Sequence, residues 1–178
     1  MADPFWSNIF RGKHDDDSLL HFLKGQPIFA GLSAKELKLL EVALHQRSYQ
    51  PNEIVFEEGD PGSGMYMIRS GGVRILGRRV DSGEEVLAEL GPGDFFGETT
   101  LTAPAPRTAT ARTVEATELV GLFRSDLLEL AERYATLTRN ILFGLTRVVS
   151  ERLQTASHEI RRLQHQLGEH ASAENVET

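Results

Sequence analysis

The chain has 178 residues, a formal net charge of -7, 40% apolar and 25% charged residues, and no cysteine. That length suits one domain with a full core plus an appended element, and the missing cysteine excludes disulfides, thiolate metal centres, iron–sulfur clusters and sulfur-based redox sensing. The acidic balance argues against a broad basic face for nucleic acid, and no apolar run reaches the ~20 residues that span a bilayer. With no secretory signal at the N-terminus, a cytoplasmic protein with neither nucleic-acid nor membrane partner is expected.

In chain order, Phe5, Trp6, Ile9 and Phe10 come first, at helical spacing on a polar background. Residues 1–18 read either as a tail or as a short docking helix, with Asp15-Asp16-Asp17-Ser18 as an acidic N-cap for the next helix. Leu19, Leu20, Phe22 and Leu23 predict a short helix ended by Gly25 and Pro27. Ser33-Ala34-Lys35-Glu36 has the spacing of a capping box, opening a second helix that buries Leu37, Leu40, Val42 and Leu44. From Ser48 to Phe123 the texture changes to short apolar, β-branched runs: Ile54 to Phe56, Met65 to Ile68, Val73 to Leu76, Val86 to Leu90, Ala109 to Val114 and Leu119 to Leu122. These predict strands. Gly59, Gly71, Gly83 and Gly93 recur among them at the spacing of an antiparallel sandwich, barrel or jelly roll.

Beyond Arg124 the chain lacks proline and reads as helical to about Leu167. There Leu142, Thr146, Val149, Leu153, Ala156, Ile160, Leu163 and Leu167 alternate steps of four and three, a coiled-coil register. At about 38 Å the stretch exceeds what the β-domain could cover, so two chains are expected to pair along it; the alternative is one amphipathic helix lying on the domain. Gly144 marks an expected bend, and residues 169–178 an expected disordered tail.

Chemistry concentrates between Gly91 and Thr110. Gly97 lets backbone approach a ligand, and the amides of Glu98, Thr99 and Thr100 open a short helical turn before Pro104, an arrangement that suits an anion. After Pro104-Ala105-Pro106, Arg107 offers a planar fork for two phosphate oxygens, and Thr108 adds a hydroxyl and an amide. Glu98 is the acceptor of the set, suited to a sugar hydroxyl. A nucleotide with a singly charged phosphate would satisfy these groups; an ion pair between Glu98 and Arg107 across two loops fits the spacing equally.

The pieces Phe29-Ala30-Gly31-Leu32-Ser33, Gly59-Asp60-Pro61-Gly62, Met67-Ile68-Arg69-Ser70-Gly71, Gly93-Asp94-Phe95-Phe96-Gly97-Glu98 and Pro106-Arg107-Thr108-Ala109-Thr110 fall in one order between about Gln26 and Leu122. This region resembles the cyclic-nucleotide-binding domain of bacterial catabolite-activator-type regulators, cyclic-nucleotide-dependent kinases and cyclic-nucleotide-gated channels. The resemblance implies a mainly β fold with flanking helices, a β-roll of the jelly-roll type, followed by a long dimerisation helix. It implies that Glu98 receives the ribose 2′-hydroxyl, that Arg107 grips the exocyclic phosphate oxygens, and that amides of Gly97, Thr100 and Thr108 complete the cradle. Thr99 and Ala109 flank these positions and are site candidates with them. Ile75 and Leu87 match apolar contacts to the base, and Thr155 and Ser157 match a helix segment that caps it. Thr108 stands where a family hydroxyl can reach a syn guanine, so cAMP and cGMP are both expected ligands, with no further cofactor.

The domain division expected is 1–18 tail or docking segment, 19–134 cyclic-nucleotide-binding domain, 135–168 coiled-coil dimerisation helix and 169–178 tail. With Met1 ahead and a polar tail behind, the chain reads as complete, without the helix-turn-helix of the transcription-factor branch. No phosphate-binding Gly-Lys-Ser/Thr loop or His-Glu-x-x-His motif occurs, and the six histidines lack metal-ligand spacing. No enzyme is expected. The reading is a homodimeric receptor that signals by dimer geometry to an unidentified effector protein; the alternative is a degenerate, ligand-free dimeric scaffold.

Overall fold

The computed structural model describes residues 19–78 and 83–174, with side chains to residue 166. The Phe5-Trp6-Ile9-Phe10 segment and the seam position Leu167 lie outside the described residues or side chains. Residues 19–25 form helix α1, and Pro27–Phe29 a 3-10 turn that keeps proline at its start. Helix α2, Ala34–Glu41, opens on the expected capping box: Glu36 N–H donates to Ser33 Oγ at 3.3 Å and Ser33 N–H donates to Glu36 Oε2 at 2.8 Å.

The strands are β1 His45–Tyr49, β2 Ile54–Phe56, β3 Pro61–Gly62, β4 Gly64–Ser70, β5 Val73–Arg78, β6 Glu84–Leu90, β7 Phe95–Phe96, β8 Ala105–Pro106, β9 Thr110–Thr113 and β10 Thr117–Phe123. They build one sheet in the order β1-β10-β4-β7, another in the order β2-β9-β5-β6, and a ribbon β3-β8, with every pairing antiparallel. All six strands expected from apolar runs are present. The fold is the mainly β roll with flanking helices that the resemblance implied.

Alternation along β4 and β10 divides the core. Met65 and Met67 of β4 and Val120 and Leu122 of β10 face the helices, packing with Leu23, Phe29, Leu40, Leu130 and Ile141. Ile68 and Leu119, one step out of phase, face the roll interior with Tyr49, Val73, Phe96 and Ala111 of the surrounding strands. Both faces of β4 and β10 are therefore dry, and these two strands read as continuous apolar runs.

Helix α3 is the single turn Thr99–Thr102 that follows β7. The helical stretch expected beyond Arg124 is two helices, α4, Arg124–Arg133, and α5, Ala135–Glu174, separated by Tyr134 at φ -137° and ψ 60°. The break turns the chain so that Leu127 and Leu130 on one helix, and Leu137 and Ile141 on the next, enter one core. Gly144, expected to bend the helix, lies inside an unbroken one and serves a close approach instead. A Cβ built there would stand 1.8 Å from the Ile28 carbonyl oxygen, so the 3-10 turn rests on bare helix backbone, and Arg147 Nη2 donates to Pro27 O at 2.7 Å beside it.

Candidate functional site

Two small devices fix the Arg107 backbone. The β3-β8 ribbon pairs Pro61 with Pro106 and Gly62 with Ala105, and beyond it Arg107 N–H donates to Asp60 O at 2.8 Å while Gly59 N–H donates to Arg107 O at 2.8 Å. The two prolines give the ribbon no excess of donors and a stiff φ, which suits a strand this short. Arg107 therefore leaves a clamped backbone and turns inward to 6% exposure.

Its Nη1 lies 2.9 Å from Gly64 O, 3.2 Å from Gly97 O and 2.9 Å from Thr100 Oγ1. The guanidinium carbon stands 4.0 Å over the Phe56 ring, a cation–π contact. Phe56 in turn meets Tyr66 and Phe96, whose rings stack at 5.5 Å. Burial pushes the guanidinium below its ordinary pKa, with Tyr66 and Asp60 acting in the opposite sense. Among the described residues no carboxylate pairs with it, and its buried Nε has no hydrogen-bond partner. The expected alternative, an ion pair between Glu98 and Arg107, is not what forms.

Gly97 makes the approach possible. It sits at φ +74°, where side chains are strained, and a Cβ there would stand 2.5 Å from Arg107 Nη1. Thr100 is buried; its hydroxyl accepts from Arg107 and has Gly97 O at 3.1 Å for its own proton, and its amide turns back to Gly97 O at 3.4 Å. Thr99 and Thr108 are exposed, Ala109 is buried beside them, and Glu98 is half-buried. Gly97, Thr100 and Arg107 thus meet in one cluster, with Glu98, Thr99, Thr108 and Ala109 next to them in the chain.

The apolar pair is arranged differently. Ile75 faces the roll interior, whereas Leu87 is 57% exposed. Register explains the difference: Ile75 pairs with Ala88 and Leu76 with Val86, leaving Leu87 as the extra residue of a β-bulge.

Sequence reasoning missed one residue. Arg152 of α5 directs Nη1 and Nη2 to Phe95 O, each at 3.2 Å, and its guanidinium carbon stacks 3.7 Å over the Phe95 ring. Nη1 is also 3.6 Å from Glu98 Oε1. One side chain of the long helix thus holds both the residue before the Phe96-Gly97 turn and the carboxylate after it. Its signal was available: it is the cation beside seam residue Leu153, in the segment singled out for its hydroxyls. Thr155 donates back to Glu151 O at 3.0 Å, and among the described residues neither Thr155 nor Ser157 bonds to the β-roll.

Comparison with known proteins fits this geometry. Residues 46–134 match the cyclic nucleotide-binding domain model. The Cyclic AMP receptor protein of Thermus thermophilus is 38% identical over 129 residues, 72% of this chain and 60% of that protein. The cAMP-dependent protein kinase regulatory subunit of Mycosarcoma maydis is 37% identical over 97 residues, 54% of this chain and 18% of that one. The crystal structure of Thermus thermophilus Catabolite Activator Protein superposes with a TM-score of 0.69 at 35% identity, covering 78% of this chain and 63% of the other. The chain spans about 60% of the length of the Thermus thermophilus receptor protein and of the CRP-like cAMP-activated global transcriptional regulator of Mycobacterium tuberculosis. From its β-roll, the glycine turn and inward arginine within it, and these matches, the chain belongs to the cyclic nucleotide-binding domain family, alongside regulatory proteins.

Proposed function

We propose that this chain is a receptor for a cyclic nucleoside monophosphate, cAMP or cGMP, and that it regulates a partner protein rather than catalysing a reaction. One observation carries the reading: the Arg107 guanidinium is buried with no described carboxylate in ion-pair contact, only Asp60 favouring its charge from farther off, and with its Nε unpartnered. An uncompensated buried charge costs several kcal/mol, and a phosphodiester would supply the missing anion through two parallel hydrogen bonds.

In this reading Arg107 exchanges the carbonyls of Gly64 and Gly97 for the exocyclic phosphate oxygens, and the amides of Gly97, Thr99, Thr100 and Thr108 surround them beside Ala109. Glu98 takes the ribose 2′-hydroxyl. The base lies along Ile75 and Leu87, whose exposure on the bulge leaves it free to close over a ring. Arg152 connects Glu98 to α5, so that ligand and helix position are linked as two states of one equilibrium. Residues 19–134 are the receptor domain, and from residue 135 onward α5 pairs with a second copy in a cytoplasmic homodimer whose geometry changes on binding.

Titration with a fluorescent cyclic nucleotide tests it. Losing a charge-assisted pair in a desolvated site costs about 2–5 kcal/mol, so Arg107→Ala is expected to bind at least about thirtyfold more weakly. Equal affinity in wild type and variant removes the phosphate assignment. No binding by either favours the ligand-free scaffold, which draws its own support from the three protein acceptors already around Arg107 Nη1.

A further inference from the structure

Away from the nucleotide site, α4 and α5 enclose an apolar groove of about 380 Å³, lined by Ala131 of α4 and by Ala135, Thr138, Leu142, Phe143 and Thr146 of α5. Phe143 is 70% exposed at its edge. Leu142 and Thr146 are positions of the heptad seam, so the surface that pairs two copies runs on into the groove. We propose that each groove takes Phe143 of a second copy, a reciprocal exchange of rings that sets the two α5 helices parallel. This rests on the homodimer proposed above and adds to it an anchor outside the seam.

Register selects that side chain. The seam sets Leu142 at d and Thr146 at a; carried one heptad back, it sets Ala135 at d, Thr138 at g and Arg139 at a, with Phe143 at e. In a parallel pair an e residue lies across the seam from the g residue five places earlier on the other helix, and five places before Phe143 stands Thr138. Thr138 lines the groove beside Ala131, so the incoming ring lands where α4 widens the apolar surface beyond the seam. Thr138 is also 5% exposed with no hydrogen-bond partner for its hydroxyl among the described residues, and the electron-rich face of a ring accepts such a proton weakly. Two Arg139 side chains would face each other at a. Each Nη2, however, lies 3.5 Å from Asn140 Oδ1, and Asn140 Nδ2 donates to Glu36 Oε1 at 3.2 Å, which draws the guanidinium toward α2 and off the axis. An antiparallel pair centred on the seam would instead set Phe143 opposite the far end of α5, about 35 Å along the helix, and leave the groove wet.

Because the chain has no cysteine, one introduced thiol reads the orientation. Thr146→Cys puts it at an a position, where two parallel copies bring their Cα atoms within the ~4.4–6.8 Å of a disulfide, so mild oxidation should cross-link most of the sample. In an antiparallel pair the same thiols lie about 25 Å apart. Phe143→Ala, and independently Ala131→Glu on the α4 wall, should each weaken the dimer at least about tenfold in sedimentation equilibrium, as loss of a central aromatic anchor does, with nucleotide affinity unchanged. Mixing the two variants separates a ring seated on the partner from one packed on its own chain. A Phe143→Ala chain and an Ala131→Glu chain keep one intact ring and groove between them, whereas either variant alone keeps none. The mixed dimer should therefore form about threefold more tightly than either variant's own. No preference for the mixed dimer, full-strength dimers from both variants, or a dimeric protein that Thr146→Cys does not cross-link overturns the exchange and leaves the homodimer standing. A monomeric wild type removes both.

Discussion

Gly97 and Arg107 form a single device, because the absence of one side chain makes room for the other. Gly97→Ala puts a Cβ 2.5 Å from Arg107 Nη1 at a φ of +74°, where an L-residue costs about 1–2 kcal/mol before any clash. A loss of several degrees in melting temperature is expected for a chain of this size, with nucleotide affinity falling in parallel. A variant that melts lower but binds as tightly as wild type would separate the turn from the phosphate. Arg152→Ala should weaken binding less than Arg107→Ala, and its effect should shrink in high salt because the Glu98 contact is partly exposed; this is read by titration at two ionic strengths. Arg107, Gly97 and Glu98 were legible in the sequence because they sit in one run whose turn chemistry is local. Arg152 was not, since its partners Phe95 and Glu98 come from more than fifty residues away and only the packing of α5 brings them together.

At the scale of elements, legibility followed burial. The strands buried on both faces, Met65 to Ile68 and Leu119 to Leu122, announced themselves as apolar runs, whereas β1, with sequence HQRSY, buries only Tyr49 and carries no run to find. The Tyr134 break has neither glycine nor proline to mark it; the joint entry of Leu130 and Leu137 into one core imposes it. Gly144 shows the same logic in reverse. Alanine is the better helix former by about 1 kcal/mol, yet Gly144→Ala would drive a Cβ into the Ile28 carbonyl, and overpacking costs about 1–3 kcal/mol. The variant is expected to be less stable by denaturant titration; a gain would mean that the 3-10 turn yields freely. The α2 capping box adds a pH dependence. Hydrogen bonds from the Ser33 backbone and hydroxyl hold the Glu36 carboxyl below its ordinary pKa. A carboxylate depressed in the folded state contributes stability that is complete above its unfolded pKa of about 4.3 and is lost as pH falls through the lower folded value. Melting curves of wild type and Glu36→Gln should therefore converge in acid and diverge near neutrality.

The whole molecule poses a problem of solvation. Core contacts of α5 end at Val148 and the Arg152 anchor comes one turn later, yet the helix continues to Glu174. Residues 153–174 thus extend about 33 Å past the last anchor, carrying the exposed apolar side chains of Leu153, Ile160 and Leu163 at heptad spacing. A helix with no packed face is marginal in water, and the proposed pairing with a second copy of the same seam would supply the missing face at a matching period. Leu153→Asp with Ile160→Asp is expected to convert a dimer to a monomer in sedimentation equilibrium and to lower far-UV helical signal, because the unpaired end frays. Retained dimer mass in that double variant would move the interface off the helix. Retained helicity in a monomer would show that the segment needs no partner. Because Arg152 sits at the base of this projecting arm and touches Glu98, the monomeric variant should still bind nucleotide, yet its scattering profile should no longer change between the free and bound states.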